Sequence, residues 1–272
     1  MDETYHIIND NLTMNNKTYM ILLFSMCVII LVIIFKYFTE RKNIHGKIYI
    51  SFTTIPSRMN NIKPLLDSLI NQTIHIDAII FNIPYYSKRF NTEYIIPNYL
   101  YNYHPRLRIN RCEDYGPGTK LLGPLETRKY NNNDVIIILD DDRLIDSNLC
   151  HHLYQEYTQH SDSIISNFGN TQQLHVKIPM GAAGILIPLH SIDVKEIFSY
   201  FKEHEQSCRY VDDIFWYKYF SQKNNIPIHY LPSSTRINGA YNDSNALFRE
   251  TGHLARYNLN NSIGLNQKCL DS

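Results

Sequence analysis

The sequence predicts an α/β domain with a mixed, mainly parallel sheet flanked by helices, preceded by one N-terminal transmembrane helix. Three observations carry this expectation. From Lys47 onward, short apolar runs alternate with stretches of helical periodicity, the pattern of a sheet covered by helices. Residues 19–35 read YMILLFSMCVIILVIIF, an uncharged apolar stretch about as long as a bilayer crossing requires. The run VIIIL at 135–139 closes on Asp140, Asp141 and Asp142, as a buried strand does when it delivers charge to the rim of a sheet.

Composition narrows the function classes. The chain has 272 residues, 44% of them hydrophobic, and its 26 Lys and Arg balance 26 Asp and Glu. With no global charge field, no nucleic-acid partner is expected. Residues 1–18 form a polar leader that carries Asp2, Glu3 and Asp10 against Lys17, and it lacks the basic start and small-residue cleavage site of a secretory signal. The segment 19–38 therefore reads as an uncleaved anchor, 39–46 as a charged stalk, and 47–272 as one domain. Lys36, Arg41, Lys42 and Lys47 follow the span, and the positive-inside rule places the domain on the cytoplasmic side. The five cysteines, Cys27, Cys112, Cys150, Cys208 and Cys269, are odd in number and widely spaced, which allows one or two bridges and argues against a zinc framework.

Element by element, 47–52 (KIYISF) is the first strand, broken by the loop at 53–58. Ile62, Leu65, Leu66, Leu69 and Ile70 give 59–72 helical spacing. A second strand over 78–83 stops at Pro84, and a third runs over 107–111. A helix follows over 119–130, then the fourth strand at 135–139. Asp146 and Ser147 can cap a helix over 148–159. Residues 163–168 extend again, and GAAGILIP at 181–188 is a small-residue turn feeding a strand. Helices are expected over 193–204 and 212–222, with a late strand at 228–231; after Ser233 the pattern fades.

The residues that can carry chemistry sit between these elements. On an extended strand Asp140 and Asp142 would share one side, a D-x-D spacing whose hard oxygens suit a divalent cation gripping a phosphate. Thr53, Pro56 and Arg58 sit where the first strand ends, the position from which such sheets reach a base and ribose, or where an ordinary loop begins. The turn from Asp114 to Lys120 leads into a helix whose first amides, with Lys120, suit a diphosphate; its Gly and Pro also account for a turn alone. Asp212 and Asp213 are either helix-start carboxylates favoured by the dipole or include a general base. Gly181 allows close approach of a sugar to the backbone, or marks a bulge. Trp216 and Tyr217 fit a sugar-stacking wall or the core.

In this order, SFTTIPSR, CEDYGPGTKL, VIIILDDDRL, MGAAGILIP and VDDIFW resemble glycosyltransferases of the GT-A type, nucleotide-sugar-dependent and GT2-like, over nearly all of 47–272. The resemblance implies a membrane-anchored hexosyltransferase that moves a sugar from a nucleotide-sugar donor to a hydroxyl on a glycan, protein or lipid, with inversion. It implies Mn²⁺ or Mg²⁺ on Asp140 and Asp142, with a C-terminal histidine, His253 or His229, completing the shell. It implies donor contacts at Thr53, Pro56, Arg58, Asp114, Lys120, Asp140, Asp141 and Gly181, and a base at Asp213 or Asp212, with Asp213 preferred. The class also includes lumenal enzymes, against the charge pattern around the anchor. Two alternatives stand beside it. A nucleotidyltransferase can use similar chemistry, although SFTTIPSR lacks a Gly- and basic-rich triphosphate loop. An anchored carbohydrate-binding scaffold can keep the fold without turnover.

Overall fold

The computed structural model describes residues 16–42, 46–170, 176–236 and 265–272. The chain divides into two units, Met1–His45 and Gly46–Ser272. In the first, helix α1 spans Asn16–Lys42, and its side chains from 18 to 32 are all exposed. The apolar span expected over 19–38 runs past these side chains, and among the described residues no helix is long and apolar enough to cross a membrane.

The second unit contains, in chain order, β1 (Ile48–Thr53), α2 (Lys63–Ile70), β2 (Ala78–Pro84), β3 (Tyr86–Ser87), β4 (Thr92–Glu93) and β5 (Leu107–Cys112). There follow α3 (Thr119–Thr127), β6 (Val135–Leu139), α4 (Leu149–Tyr157), β7 (Ile164–Ser166), β8 (Gly169–Asn170), β9 (Ile178–Pro179) and β10 (Ile185–Pro188). The last elements are α5 (Val194–Cys208), α6 (Asp212–Trp216), β11 (Ile228–Tyr230) and α7 (Leu265–Asp271). Seven strands form one sheet in the order β11-β7-β10-β6-β1-β2-β5, and β3-β4 and β8-β9 form two small ribbons.

The strands β5, β2, β1 and β6 run parallel, so the chain winds outward from β1 in one direction and then restarts on its other side. That reversal between β1 and β6 is a topological switch point, where the loops leaving two adjacent strands diverge and open a crevice. β10 is antiparallel to both β6 and β7, and β11 returns parallel to β7. The sheet is thus mixed and mainly parallel, as the alternating pattern implies.

All five residues of β6 are buried, as expected of a strand covered on both faces. Burial of such a side chain contributes roughly 1.5–3 kcal/mol, so β6 holds its place against the crowding of three carboxylates at its end. Ile136 and Ile138 join Leu121, Leu122 and Leu125 of α3 and the aromatic residues of α5 and α6 in one core. On the opposite face, Leu139 lies beside Leu149 and Leu153 of α4 at Gly184. Gly184 has φ +99°, a conformation that L side chains rarely adopt, and it turns the chain into β10.

Boundaries depart from expectation where backbone chemistry intervenes. The helix expected over 59–72 is split into a 3-10 turn, Pro56–Asn61, and α2, because Pro64 has no N–H and is tolerated only in a helix's first turn. β2 continues through Pro84, the residue expected to stop it. Pro84 lies past the last β1 pairing, Thr53 with Asn82, so its missing N–H breaks no ladder bond on that side. The helix expected over 212–222 is α-helical only to Trp216 and widens into a π-helical stretch, Tyr217–Lys223. α5 starts where the Asp193 carboxylate accepts the Glu196 amide at 2.9 Å, an N-cap that satisfies one orphan donor.

One disulfide, Cys208–Cys269, ties the end of α5 to α7, while Cys27, Cys112 and Cys150 are free. Beside the bridge the buried Lys218 ammonium donates to the Cys269 carbonyl at 2.7 Å and caps the short C-terminal helix.

Candidate active site

The site is built at the switch point. β6 ends at Leu139, its last partner being Phe52 of β1, and Asp140 to Asp142 lie in the turn beyond. Strand alternation therefore does not extend to these carboxylates, and what each one faces is set by its partners. Asp141 turns towards the loop after β1, where the Thr54 hydroxyl and an Arg58 Nη both donate to its carboxylate. Burial raises the Asp141 pKa to about 6, against the pull of Arg58 and Thr54. Asp140 turns the other way and pairs with the Lys120 ammonium. Asp142 lies on the Arg58 side, with Oδ2 at 3.8 Å from Arg58 Nη2. Its Oδ1 is buried with no hydrogen-bond partner among the described residues, and burial followed by the Asp140 charge pushes its pKa up.

Lys120, in the first turn of α3, is buried with 1% of its side chain exposed. The resemblance implies a diphosphate contact there; the structure commits the ammonium to carboxylates, pairing it with Asp140 and, at 2.9 Å, with Asp212. Burial alone would lower its pKa, but Asp140, Asp212 and Asp213 together outweigh it and hold the lysine charged. Asp212 also accepts Trp216 Nε1 at 3.2 Å. Asp213 Oδ1 accepts the Gly181 amide at 2.7 Å. Its pKa is raised to about 7, by burial first and the neighbouring Asp212 second, with Lys120 opposing.

Gly181 stands inside this cluster. A Cβ there would lie 2.8 Å from Lys120 Nζ and 3.1 Å from Asp213 Oδ1, so a side chain at 181 would push the ammonium away from its place among the acids. The structure thus brings together Asp140, Asp212, Asp213, Lys120 and Gly181 on one side, and Arg58, Thr54, Asp141 and Asp142 on the other.

Other expected residues have separate surroundings. Thr53 donates its hydroxyl to the Asn82 carbonyl at 2.9 Å, and Pro56 opens the 3-10 turn that carries Arg58. The Asp114 carboxylate accepts the amides of Lys88 and Gly116, each at 2.7 Å, and lies 3.5 Å from Arg209. It shapes the turn before α3, in which Gly116 at φ +62° passes against the Arg209 carbonyl. Trp216 is wholly buried and belongs to the core. His229 lies on β11, three strand spacings or about 14 Å across the sheet from β6, and does not join the acids. His253 lies outside the described residues.

Several positioning residues escaped the sequence reading. Ser51, Asn82 and Asn110 form a buried polar ladder across β1, β2 and β5. Asn110 Nδ2 donates to Asn82 Oδ1 at 2.9 Å, Asn82 Nδ2 donates to Ser51 Oγ at 2.8 Å, and Ser51 Oγ donates to the Lys120 carbonyl at 2.5 Å. This ladder fixes the start of α3 and with it the lysine. Asn82 is the one polar residue inside the otherwise apolar β2, which was a readable signal; Asn110, lying between Arg108 and Arg111 in β5, had none. Thr54, whose hydroxyl holds Asp141, had no such mark.

No family model and no curated protein matches the chain. Solved structures similar to it include 4-diphosphocytidyl-2C-methyl-D-erythritol synthase from Anaerococcus prevotii, with TM-score 0.44 and 15% identity over 71% of this chain and 92% of that one. The mannosyltransferase PcManGT from Pyrobaculum calidifontis, in complex with GDP-Man and Mn²⁺, has TM-score 0.42 and 10% identity over 69% of this chain and 55% of its own. The glycosyltransferase GlyE from Streptococcus pneumoniae has TM-score 0.35 and 12% identity over the same shares. The chain spans about half the length of these two transferases. At such scores the likeness is one of general chain path and says nothing of substrate.

Proposed function

We propose that the protein is a metal-dependent glycosyltransferase of the GT-A type that moves a sugar from a nucleotide-sugar to an acceptor hydroxyl with inversion. The observation that carries this reading is the presence, at one switch point, of Asp142, with a buried carboxylate oxygen that has no hydrogen-bond partner among the described residues, and of Asp213, whose pKa burial raises to about 7.

The donor set fits a divalent cation at Asp142, whose hard oxygen has no hydrogen-bond partner among the described residues, with Asp140 beside it. A bound Mn²⁺ or Mg²⁺ would supply charge neutralisation for the departing diphosphate. The protein's own groups do the rest. Asp213, with a pKa near 7, takes the proton of the acceptor hydroxyl. The hydroxyl oxygen forms its bond to the anomeric carbon as the carbon–oxygen bond to the diphosphate breaks, and the nucleotide leaves with the electron pair. Lys120 holds Asp140 and Asp212 together and offsets part of their charge, so it positions the acids. Arg58 and Thr54 fix Asp141 and the turn that aims Asp142.

The apolar stretch at 19–35 anchors the enzyme in a membrane in this reading. The Cys208–Cys269 bridge favours an oxidising compartment for the domain, which opposes the basic residues after the span. The function is tested by incubating the chain with nucleotide-sugars and assaying the released nucleotide against pyrophosphate. Nucleoside diphosphate release supports glycosyl transfer, and pyrophosphate release from a nucleoside triphosphate would replace it with nucleotidyl transfer.

A further inference from the structure

A second cluster of ligating side chains lies at the edge of the sheet, away from the acids. Glu156 is in the last turn of α4, His160 follows one turn later, and His229 is the middle residue of edge strand β11. One ligand atom from each lies within 4.8 Å of the others. His160 Nε2 is 3.3 Å from Glu156 Oε1, and the two imidazole rings stack with centroids 3.8 Å apart and planes 15° from parallel. All three residues are partly exposed, so an ion reaches them from solvent.

We propose that Glu156, His160 and His229 form a Zn²⁺ site that ties β11 to the end of α4. Two imidazole nitrogens and a carboxylate oxygen are a donor set that zinc accepts, with a fourth position left for water. Tetrahedral bonds of about 2.0–2.1 Å place neighbouring ligand atoms roughly 3.3–3.4 Å apart, a spacing that His160 and Glu156 already hold. The His229 ring has only to turn out of the stack so that its lone pair meets the same point, and its partial exposure leaves room for that rotation. The gain is structural. β11 pairs only with β7, over three residues, so a metal clip from α4 fastens the least-supported strand of the sheet. The site is independent of the transfer chemistry, about 14 Å across the sheet from β6.

The test is titration of the metal-stripped full chain with Zn²⁺ by calorimetry, alongside Co²⁺ as a visible-absorption probe of coordination. In the Asp142→Asn chain, which lacks the divalent site proposed above, the site predicts one equivalent of Zn²⁺, a Zn²⁺-induced rise in melting temperature, and the intense absorption of tetrahedral Co²⁺. His160→Ala and His229→Ala, added to that chain, should each weaken this binding at least tenfold and abolish the rise. Glu156→Gln, which keeps shape and helix, should weaken binding and alter the Co²⁺ spectrum even if a histidine variant folds poorly. Undiminished Zn²⁺ binding in the His160→Ala/His229→Ala double variant, loss of the event in Asp142→Asn, or no binding by the parent chain would overturn the proposal.

Discussion

Asp213 titrates in the folded chain near 7, against an ordinary value of 3.8, because burial and the Asp212 charge both disfavour its anion. Between those two values the native state holds a proton that the unfolded state has lost, so this group's contribution to stability falls as pH rises through the window. Asp213→Asn removes the loss. The variant should melt higher than the parent at about pH 8, by a stability gain on the order of 1–3 kcal/mol, and match it near pH 4, as calorimetric scans at the two pH values will show. The same substitution should lower transfer by roughly 10²–10⁴-fold, and in the parent kcat/KM should rise with pH through about 7 as the base ionises. Lys120 is the counterpart. Lys120→Met leaves Asp140 and Asp212 without their cation and should destabilise the fold by about 3–5 kcal/mol in denaturant titration. A lysine serving only as an exposed phosphate contact would cost almost nothing.

At the scale of elements, β6 was legible because five branched or leucine side chains in a row have one common explanation, burial on both faces. β2 was legible for the same reason, β5 instead by the alternation of Leu107 and Ile109 with Arg108 and Asn110, and the acids at the end of β6 by their position. What each acid faces was not legible. Asp141 meets Arg58, 83 positions earlier, and Lys120 meets Asp212, 92 positions later, so the division of the cluster depends on strand order. The antiparallel placement of β10 was equally hidden, since an isolated strand of four apolar residues carries no direction. The polar ladder of Ser51, Asn82 and Asn110 decides where α3 begins. Asn82→Ala strands both neighbours' hydrogen-bonding groups inside the core and should cost about 1–3 kcal/mol in denaturant titration, with reduced activity through displacement of Lys120.

The whole molecule adds a constraint that cysteine counting only bounded. The Cys208–Cys269 bridge encloses α6, with Asp212 and Asp213, between two fixed points, and spans a sequence separation of 61. Loop closure of that length is worth about 4 kcal/mol in the chain-entropy account, so Cys208→Ser should lower the denaturation midpoint accordingly and loosen the base before it disturbs Asp142. The central claim is metal-dependent sugar transfer at the β1–β6 switch point. Its most direct measurement is nucleotide release from UDP-, GDP- and CMP-sugars by the parent chain and by Asp142→Ala, each with Mn²⁺ and with EDTA. The account predicts release from at least one donor with Mn²⁺, lost in EDTA and reduced at least a hundredfold in a folded Asp142→Ala variant. Full activity in that variant, or no release and no binding of any donor by the parent, would contradict it.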